Sequence, residues 1–390
     1  MERDSNRFTR LSITLKHRLY SKISVCHSCK SDWSKNLLVY LLLERFKRSQ
    51  AELVKLVVIT CMVIGLYLGL SVPTSQAKNI LEIKPLSAES YSESFTLGVR
   101  LEHNSYLLVQ AMLMNGGLGD EKPACRILYV HPKQQAINEV NRDGEWHYTA
   151  SKDKLRVGSC LLQRTATGLS WKAKTQSLTV ELSLEGKLGQ FSNETMSVKL
   201  DKEQFKTQII MPNAQVLASI KQSSKSAKII KGQGVLNHAR STILPPKLAK
   251  RWFKLYAFAK DPASGQNPFL LLDIRFPPKH LPTKQQQPQA WAWLGTDRSP
   301  QQLTKLDQSL EALSKRILKV GDHFSLDKYG LVYTVKDIKP KFKYEPIKAY
   351  GLMGKMLKSW VGDPINRSSL IELETKQGLL FGMIEEIEFR

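Results

Sequence analysis

Residues 78–390 lack most of the patterns that mark an enzyme on sight. They contain no H-E-x-x-H, no G-x-S-x-G, no Walker A loop and no G-x-G-x-x-G after a strand. This excludes the commonest motif-bearing metalloproteases, serine hydrolases, nucleotidases and dehydrogenases. The six histidines of this stretch (His103, His131, His147, His238, His280 and His323) have no metal-ligand spacing, so neither a metal nor another cofactor is expected. Acidic side chains are scarce, 35 against 58 basic ones for a net charge of +23. Yet no RRM-, zinc-finger- or helix-turn-helix-like pattern accompanies that charge, and nucleic acid is not the expected partner. Short tandem repeats are missing, and ordinary Gly and Pro contents (22 and 17) exclude collagen-like and low-complexity classes. Cysteine is also sparse. Of five, Cys26 and Cys29 form an isolated C-x-x-C and Cys61 lies in an apolar run, which leaves Cys125 and Cys160.

Only one long apolar run is present. Residues 53–72 read LVKLVVITCMVIGLYLGLSV, with Lys55 as the single charge, followed by Pro73 and the small residues Ser75-x-Ala77. That is the layout of a secretory signal cleaved after Ala77. A start at Val54 gives a signal over residues 54–77 and makes residues 1–53 an N-terminal extension from a wrongly extended start. The competing reading is an uncleaved inner-membrane anchor, with the preceding lysines and arginines in the cytoplasm. Both place residues 78–390 outside the cytoplasm, in the periplasm or beyond. Removing residues 1–77 takes away 12 basic and 5 acidic side chains and leaves 46 and 30, net +16. In an exported protein such a surface fits an anionic membrane or polysaccharide, or is a solvated lysine-rich face. In an oxidising compartment Cys125 and Cys160 can form a disulfide enclosing 34 residues, worth about 3–4 kcal/mol in the chain-entropy model. The alternative is two buried thiols that never meet.

From Phe95 onward, apolar or alternating runs of mostly six to nine residues are separated by Gly- and Asp-rich turns. Strands of that length and spacing predict an all-β chain of antiparallel barrels or sandwiches. Asp143-Gly144 is the best hairpin signal in the first half. In residues 301–317 the spacing of Leu303, Leu306, Leu310, Leu313 and Ile317 predicts the one helix. A boundary near Pro212 divides the exported part into two β domains, 78–212 and 213–390.

The densest cluster of unusual residues runs from Gly232 to Ala259, GQGVLNHARSTILPPKLAKRWFKLYAFA. At a strand period of two, His238 and Arg240 share a face, as do Trp252, Lys254, Tyr256 and Phe258 after the Pro245-Pro246 turn. Trp291 and Trp293 repeat the arrangement. If these faces look into one barrel, they form an aromatic pocket with a few polar groups, suited to an apolar ligand. The competing account is that the tryptophans are core and Arg251 a salt-bridged surface residue.

Gly232-x-Gly234, His238-Ala239, Pro245, Ala249-x-Arg251-Trp252 and the later strand into Pro277-Pro278 resemble the fungal survival-factor family of ceramide-binding proteins. More distantly they resemble the AttH and carotenoid-hydratase (hydroxyneurosporene synthase) type of tandem lipocalin-like proteins. The likeness covers roughly fifty residues of the second half. In the bacterial relatives a D-H-E-W-like motif opens that domain. His238 matches its histidine, while Asn237 and Ala239-Arg240 depart from the rest and leave the hydratase's acid–base residues unmatched. The resemblance implies two lipocalin-like β domains with a hydrophobic ligand inside or between them. His238, Arg240, Arg251, Trp252, Tyr256, Trp291 and Trp293 are the expected ligand-binding residues, and His238 is the one candidate catalytic group. The leading expectation is an exported carrier of an amphipathic lipid. The alternatives are a cofactor-free hydratase, lyase or cyclase acting on an isoprenoid-like substrate, and an envelope structural or interaction module.

Overall fold

The computed structural model describes residues 79–389, apart from 116–119, 190–195, 224, 260–268, 280, 283–285, 296–300, 304–307, 327–329 and 346–362. The expectations for residues 1–77 therefore lie outside the described residues. Residues 77–390 form a compact unit of their own, and all the described strand pairings and hydrophobic cores lie inside it, so this part carries what it needs to fold. Among the described residues no helix is long and apolar enough to cross a membrane.

The chain is all-β. The first sheet has twelve strands: β1 (Ser92–Leu101), β2 (Ser105–Met114), β3 (Lys122–Val130), β4 (Ile137–Asn141), β5 (Trp146–Thr149), β6 (Lys154–Val157), β7 (Cys160–Arg164), β8 (Gly168–Lys174), β9 (Leu178–Glu185), β10 (Met196–Leu200), β11 (Glu203–Gln222) and β12 (Lys228–Ser241). Their order is β4, β3, β2, β1, β12, β11, β9, β8, β7, β6, β5, with β10 paired to the start of β11. The two edge strands, β4 and β5, are consecutive in sequence and joined by residues 142–145 only. Such a link spans about 17 Å, whereas the edges of a flat sheet of this width would stand about 47 Å apart. The sheet must therefore curl until its edges nearly meet. The expected hairpin at Asp143-Gly144 is thus corrected: Gly144 does turn, at φ +93°, but it carries the chain from one edge of the curled sheet to the other.

The second sheet comprises β13 (Arg251–Ala259), β14 (Phe269–Phe276), β15 (Gln289–Leu294), β16 (Gln301–Leu303), β17 (His323–Leu326), β18 (Leu331–Tyr344), β19 (Pro364–Thr375) and β20 (Gly378–Phe389). It is ordered β16, β15, β14, β13, β20, β19, β18, β17. The chain passes between sheets through one helical turn, α1 (Pro245–Leu248). Pro212, expected as the boundary, instead lies inside β11, where register shifts between Ile209 and Ala214 absorb it; a bulge is where a strand tolerates a residue without an N–H. β12, assigned by sequence to the second domain, pairs along its length with β1 and β11 of the first sheet. The helix expected over 301–317 reduces to β16 and a five-residue α2 (Gln308–Ala312). Leu303, Leu310 and Leu313 are nevertheless buried together in the second core, so the spacing had recorded burial rather than one continuous helix.

Three hydrophobic cores result. One fills the first curled sheet and includes Phe95, Leu97, Trp171 and Leu236. Another fills the second, around Phe253, Leu255, Leu272, Phe324 and Tyr333. The third lies between the outer faces of the two sheets, where Tyr106, Leu108, Leu128 and Val235 meet Tyr256, Phe258, Trp291 and Trp293. Strands β13 and β14 are consequently apolar on both faces, which explains why RWFKLYAFA and FLLLDIRF run nearly without alternation.

Cys125 of β3 and Cys160 of β7 are joined, with Cα atoms 5.4 Å apart. The bond links strands from opposite ends of the sheet order and so staples the curl of the first sheet. Thiol titration of denatured, non-reduced residues 78–390 should find close to no free thiol. The double substitution Cys125→Ala/Cys160→Ala should lower unfolding stability by about 3–4 kcal/mol in urea. Two titratable thiols in the unaltered protein would contradict the bridge.

Candidate functional site

Where the outer faces of the sheets diverge, they leave a cleft of about 390 Å³. Its first wall is the outer face of β1, β2, β3 and β4, including Ser94, Leu108, Met112, Ala124 and Val140. Its second is β13, β19 and β20, with Trp252, Lys254, Tyr256, Ile387 and Phe389. Ile243, Pro245 and Leu248 of the connection line it as well. Strand register sets this grouping: Trp252 lies opposite Ile387 and Lys254 opposite Glu385 across β13 and β20, so aromatic, amine and carboxylate face the same way.

The polar groups form a small network on apolar walls. Arg126 of the first sheet reaches across to Glu385 of the second, Nη2 to Oε1 at 3.0 Å, while its Nε donates to Asn138 Oδ1 at 2.9 Å. Gln110 Nε2 donates to Thr96 Oγ1 at 3.1 Å, and the Tyr256 hydroxyl donates to Asn237 Oδ1 at 3.4 Å. Lys254 Nζ lies 3.9 Å from Asp273 Oδ2 and 5.1 Å from the centre of the Trp252 ring. Its side chain keeps 18% of its surface open and lines the cleft. Burial lowers the Lys254 pKa, and the Asp273 carboxylate only partly opposes this. Burial, helped by Glu385 and Asp273, pushes the Tyr256 phenol well up, so it stays protonated and can donate. The charged residues lining the cleft are Arg126, Arg142, Arg240 and Lys254 against Glu385 alone. Asp273 and Glu93 pair with Lys254 and Arg240 from behind the lining, so what the cleft offers is a set of positioned cationic donors on apolar walls, which suits the acidic head and apolar body of an amphipathic molecule.

Behind the cleft wall, Arg275 is completely buried. Its guanidinium lies 3.9 Å from the centre of the Phe205 ring and 4.4 Å from that of Trp252, with Trp291 at 5.7 Å. Nη2 donates to Asp273 Oδ2 at 3.1 Å, and Trp252 Nε1 donates to Asp273 Oδ1 at 2.9 Å. The cation and its carboxylate thus fix the tryptophan that faces the cleft.

The structure divides the residues expected to share one site. Trp252 and Tyr256 line the cleft. Trp291 and Trp293 share their side of the second sheet but pack in the core between the sheets. His238 lies on the inner face of β12, stacked on Phe95 at 4.5 Å. Its Nε2 is 2.7 Å from Glu93 Oε1 and its Nδ1 is 3.3 Å from Gln208 Nε2. The buried Glu93 also accepts from the Tyr91 hydroxyl at 2.7 Å and pairs with Arg240 at 3.3 Å. Burial and this carboxylate together push the Tyr91 phenol far up. Arg240 alone connects the two faces, since it also lines the cleft edge. Arg251 turns toward the inside of the second sheet, where it pairs with Glu386 and lies over Phe253. A single site formed by His238, Arg240, Arg251 and Trp252 is therefore corrected, because strand alternation and the change of sheet at α1 point them in different directions. Sequence reasoning missed Arg126 and Glu385, and placed Lys254 on the aromatic face without counting it among the ligand-binding residues. Their trace in the sequence is a charge within an apolar strand: CRILYV, MIEEIEF and WFKLY. Among the described residues no group of three His, Cys, Asp or Glu side chains is placed to hold a metal ion.

No protein-family model matches the chain, and no curated protein sequence does. Among solved structures, an AttH-like protein from Nitrosomonas europaea superposes with a TM-score of 0.50 at 11% identity, over 77% of this chain and 92% of that one. The fold is a tandem lipocalin-like one. At this identity the likeness concerns the fold alone. CghA, solved with Sch210972, gives a TM-score of 0.49 at 11% identity, over 77% of this chain and 88% of that one. Kievitone hydratase from Nectria haematococca gives 0.48 at 10%, over 80% and 95%. In this chain the first lipocalin-like sheet holds His238 against Glu93 in its packed interior, and the cleft lies outside both curled sheets.

The partners of His238, Glu93, Gln208 and Phe95, all belong to the first sheet and none to the cleft lining, which predicts a structural role for it. His238→Ala should cost about 1–3 kcal/mol of stability, because Glu93 loses a buried hydrogen-bond partner, and should leave ligand affinity at the cleft unchanged. Chemical denaturation and a binding titration on the same preparation check this. Loss of binding at unaltered stability would return His238 to the site.

Proposed function

We propose that the protein is an exported carrier that binds an amphipathic, acidic small molecule in the cleft between its two lipocalin-like sheets. The observation that carries the proposal is the cleft's composition: apolar walls on which Arg126, Arg240 and Lys254 present their cationic heads, each held by a carboxylate, Glu385 in the lining and Glu93 and Asp273 behind it. The resemblance of residues 232–278 to ceramide-binding survival factors supports a lipid as the ligand class. The Cys125–Cys160 bridge supports an oxidising compartment, in keeping with the secretory layout of residues 54–77. Cleavage after Ala77 predicts a mature N-terminus at Lys78.

Native mass spectrometry of purified residues 78–390 should show a co-purified lipid. Titration with a medium-chain fatty acid should change tryptophan fluorescence, because Trp252 lines the cleft. Lys254→Met should weaken fatty-acid binding by about 1.5–3 kcal/mol, the value of a hydrogen bond to a charged group. Since the Lys254 pKa is lowered, affinity for the anion should decline as pH rises, beginning below the range where exposed lysines titrate. Unchanged affinity in Lys254→Met, or binding of an uncharged alcohol equal to that of the acid, would remove the acidic-head reading.

A second reading, a cofactor-free hydratase, lyase or cyclase, is favoured by one specific arrangement. Lys254 and Tyr256 place a lysine of lowered pKa and a persistently protonated phenol on one wall, the complementary halves of an acid–base pair. A co-purified ligand recovered unchanged after incubation supports the carrier. A ligand recovered one water heavier or lighter, with the change lost in Tyr256→Phe, supports the enzyme.

A further inference from the structure

The far end of the first curled sheet has a second recess, of about 410 Å³. Three chain turns build it: residues 102–104 between β1 and β2, the segment leaving β3, and the connection from β11 to β12. His103, His131, Lys225 and Lys228 line it, and Glu102 is the one acid that does. Burial, together with the nearby Lys228, His103, Lys133 and Lys341, lowers the His131 pKa, so the lysines carry the positive charge of the recess and His131 serves as a hydrogen-bonding group. The backbone at His103 and Asn104 is left-handed, at φ 58° and 54°. Non-glycine residues adopt this conformation at a cost, and here it presents the His103 ring at the recess.

The surface beside this basic recess is apolar. Ile229 is 73% exposed, and Leu217, on the neighbouring strand, is 46% exposed. The pairing places Ile229 opposite Ser219 and Leu217 opposite Lys231, so the two side chains are diagonal neighbours on the outer face. Of the exposed lysines nearby, Lys221 and Lys231 share this outer face by strand alternation, while Lys225 lies in the adjoining turn and Lys228 faces the recess. β1 pairs only with residues 232–241 of β12, which leaves residues 228–231 paired on the β11 side only. Scattered exposed apolar residues are ordinary. Two adjacent ones flanked by Lys221 and Lys231, next to a recess lined by Lys225 and Lys228, match what interfacial lipid binding requires: apolar side chains for the acyl boundary and cations for the phosphates.

We propose that this end of the first sheet docks on an anionic lipid surface. A headgroup phosphate is received between His103, His131, Lys225 and Lys228, and Ile229 and Leu217 enter the acyl boundary. The proposal is independent of the ligand cleft, which shares none of these residues. If the cleft binds lipid, the docking surface adds a place for exchange with a membrane.

The test is co-sedimentation of residues 78–390 with vesicles of phosphatidylcholine alone and of phosphatidylcholine mixed equally with phosphatidylglycerol. Omitting residues 1–77 removes the apolar run as a rival anchor. The expected result is partitioning onto the phosphatidylglycerol vesicles only, weakening as salt is raised. Lys225→Glu/Lys228→Glu should reduce it by more than about 30-fold, the value of losing two surface lysines alone, and Ile229→Ser should reduce it while circular dichroism stays unchanged. The control Lys199→Glu/Lys206→Glu makes the same charge change at exposed positions elsewhere and should retain most of the binding. Equal binding to both vesicles, undiminished binding in the Lys225/Lys228 variant, or an equal loss in the control would each overturn the assignment. Fatty-acid titration of the Lys225/Lys228 variant reads the cleft separately, so either site can fail alone.

Discussion

The packing of two sheets by their outer faces is the constraint on which the rest of the molecule depends. Each curled sheet already has an interior core, so this contact forces several strands to be buried on both sides. It accounts for the continuous apolar character of β13 and β14, for the tryptophans of β15, and for the place of the cleft where the faces part. The two sheets approach closely at Gly98. A Cβ there would lie 2.5 Å from the Tyr106 hydroxyl and 2.9 Å from a Tyr256 ring carbon of the other sheet. Only a residue without a side chain lets the second sheet's aromatic face settle on β1.

That contact also contains charge. Arg275 and Asp273 are both buried, and such a pair seldom contributes net stability, because desolvation offsets its Coulomb attraction. Here the cation is stacked among aromatic rings, which returns part of the loss, and Asp273 accepts from Trp252 and faces Lys254. The result is orientation: two residues of the cleft wall, Trp252 and Lys254, are held from behind by a buried charge pair. Arg126 and Glu385 act across the cleft in a comparable way, one from each sheet. The site is therefore a property of the assembled pair of sheets and belongs to neither alone.

This explains which features could be read from the sequence. Short strands between Gly- and Asp-rich turns gave the all-β class, and the aromatic face Trp252, Tyr256 is where the cleft's second wall lies. Alternation assigned residues to faces within a strand, but not one strand's face to another's. His238 and Arg251 were grouped with Trp252 because they are near it in sequence. The intervening turn puts His238 on the other sheet, and alternation along β13 turns Arg251 away from Trp252, so neighbours in sequence came to face different cores. The boundary at Pro212 failed for a related reason, since a bulge let β11 continue through a residue that usually ends a strand. Arg126 and Glu385, 259 positions apart, had no local signal linking them. Their pairing follows from which faces meet, which is a tertiary fact.

The central claim is that the ligand lies between the sheets and outside their packed interiors. The most direct measurement is photocrosslinking of residues 78–390 with a diazirine-bearing fatty acid, followed by peptide mapping. The account predicts adducts on side chains facing the cleft, from Arg251–Ala259, Lys122–Val130 and Gly378–Phe389, suppressed by excess unlabelled fatty acid. Adducts on interior residues such as Trp171 or Phe324, competed away in the same manner, would place the ligand inside a curled sheet and contradict it.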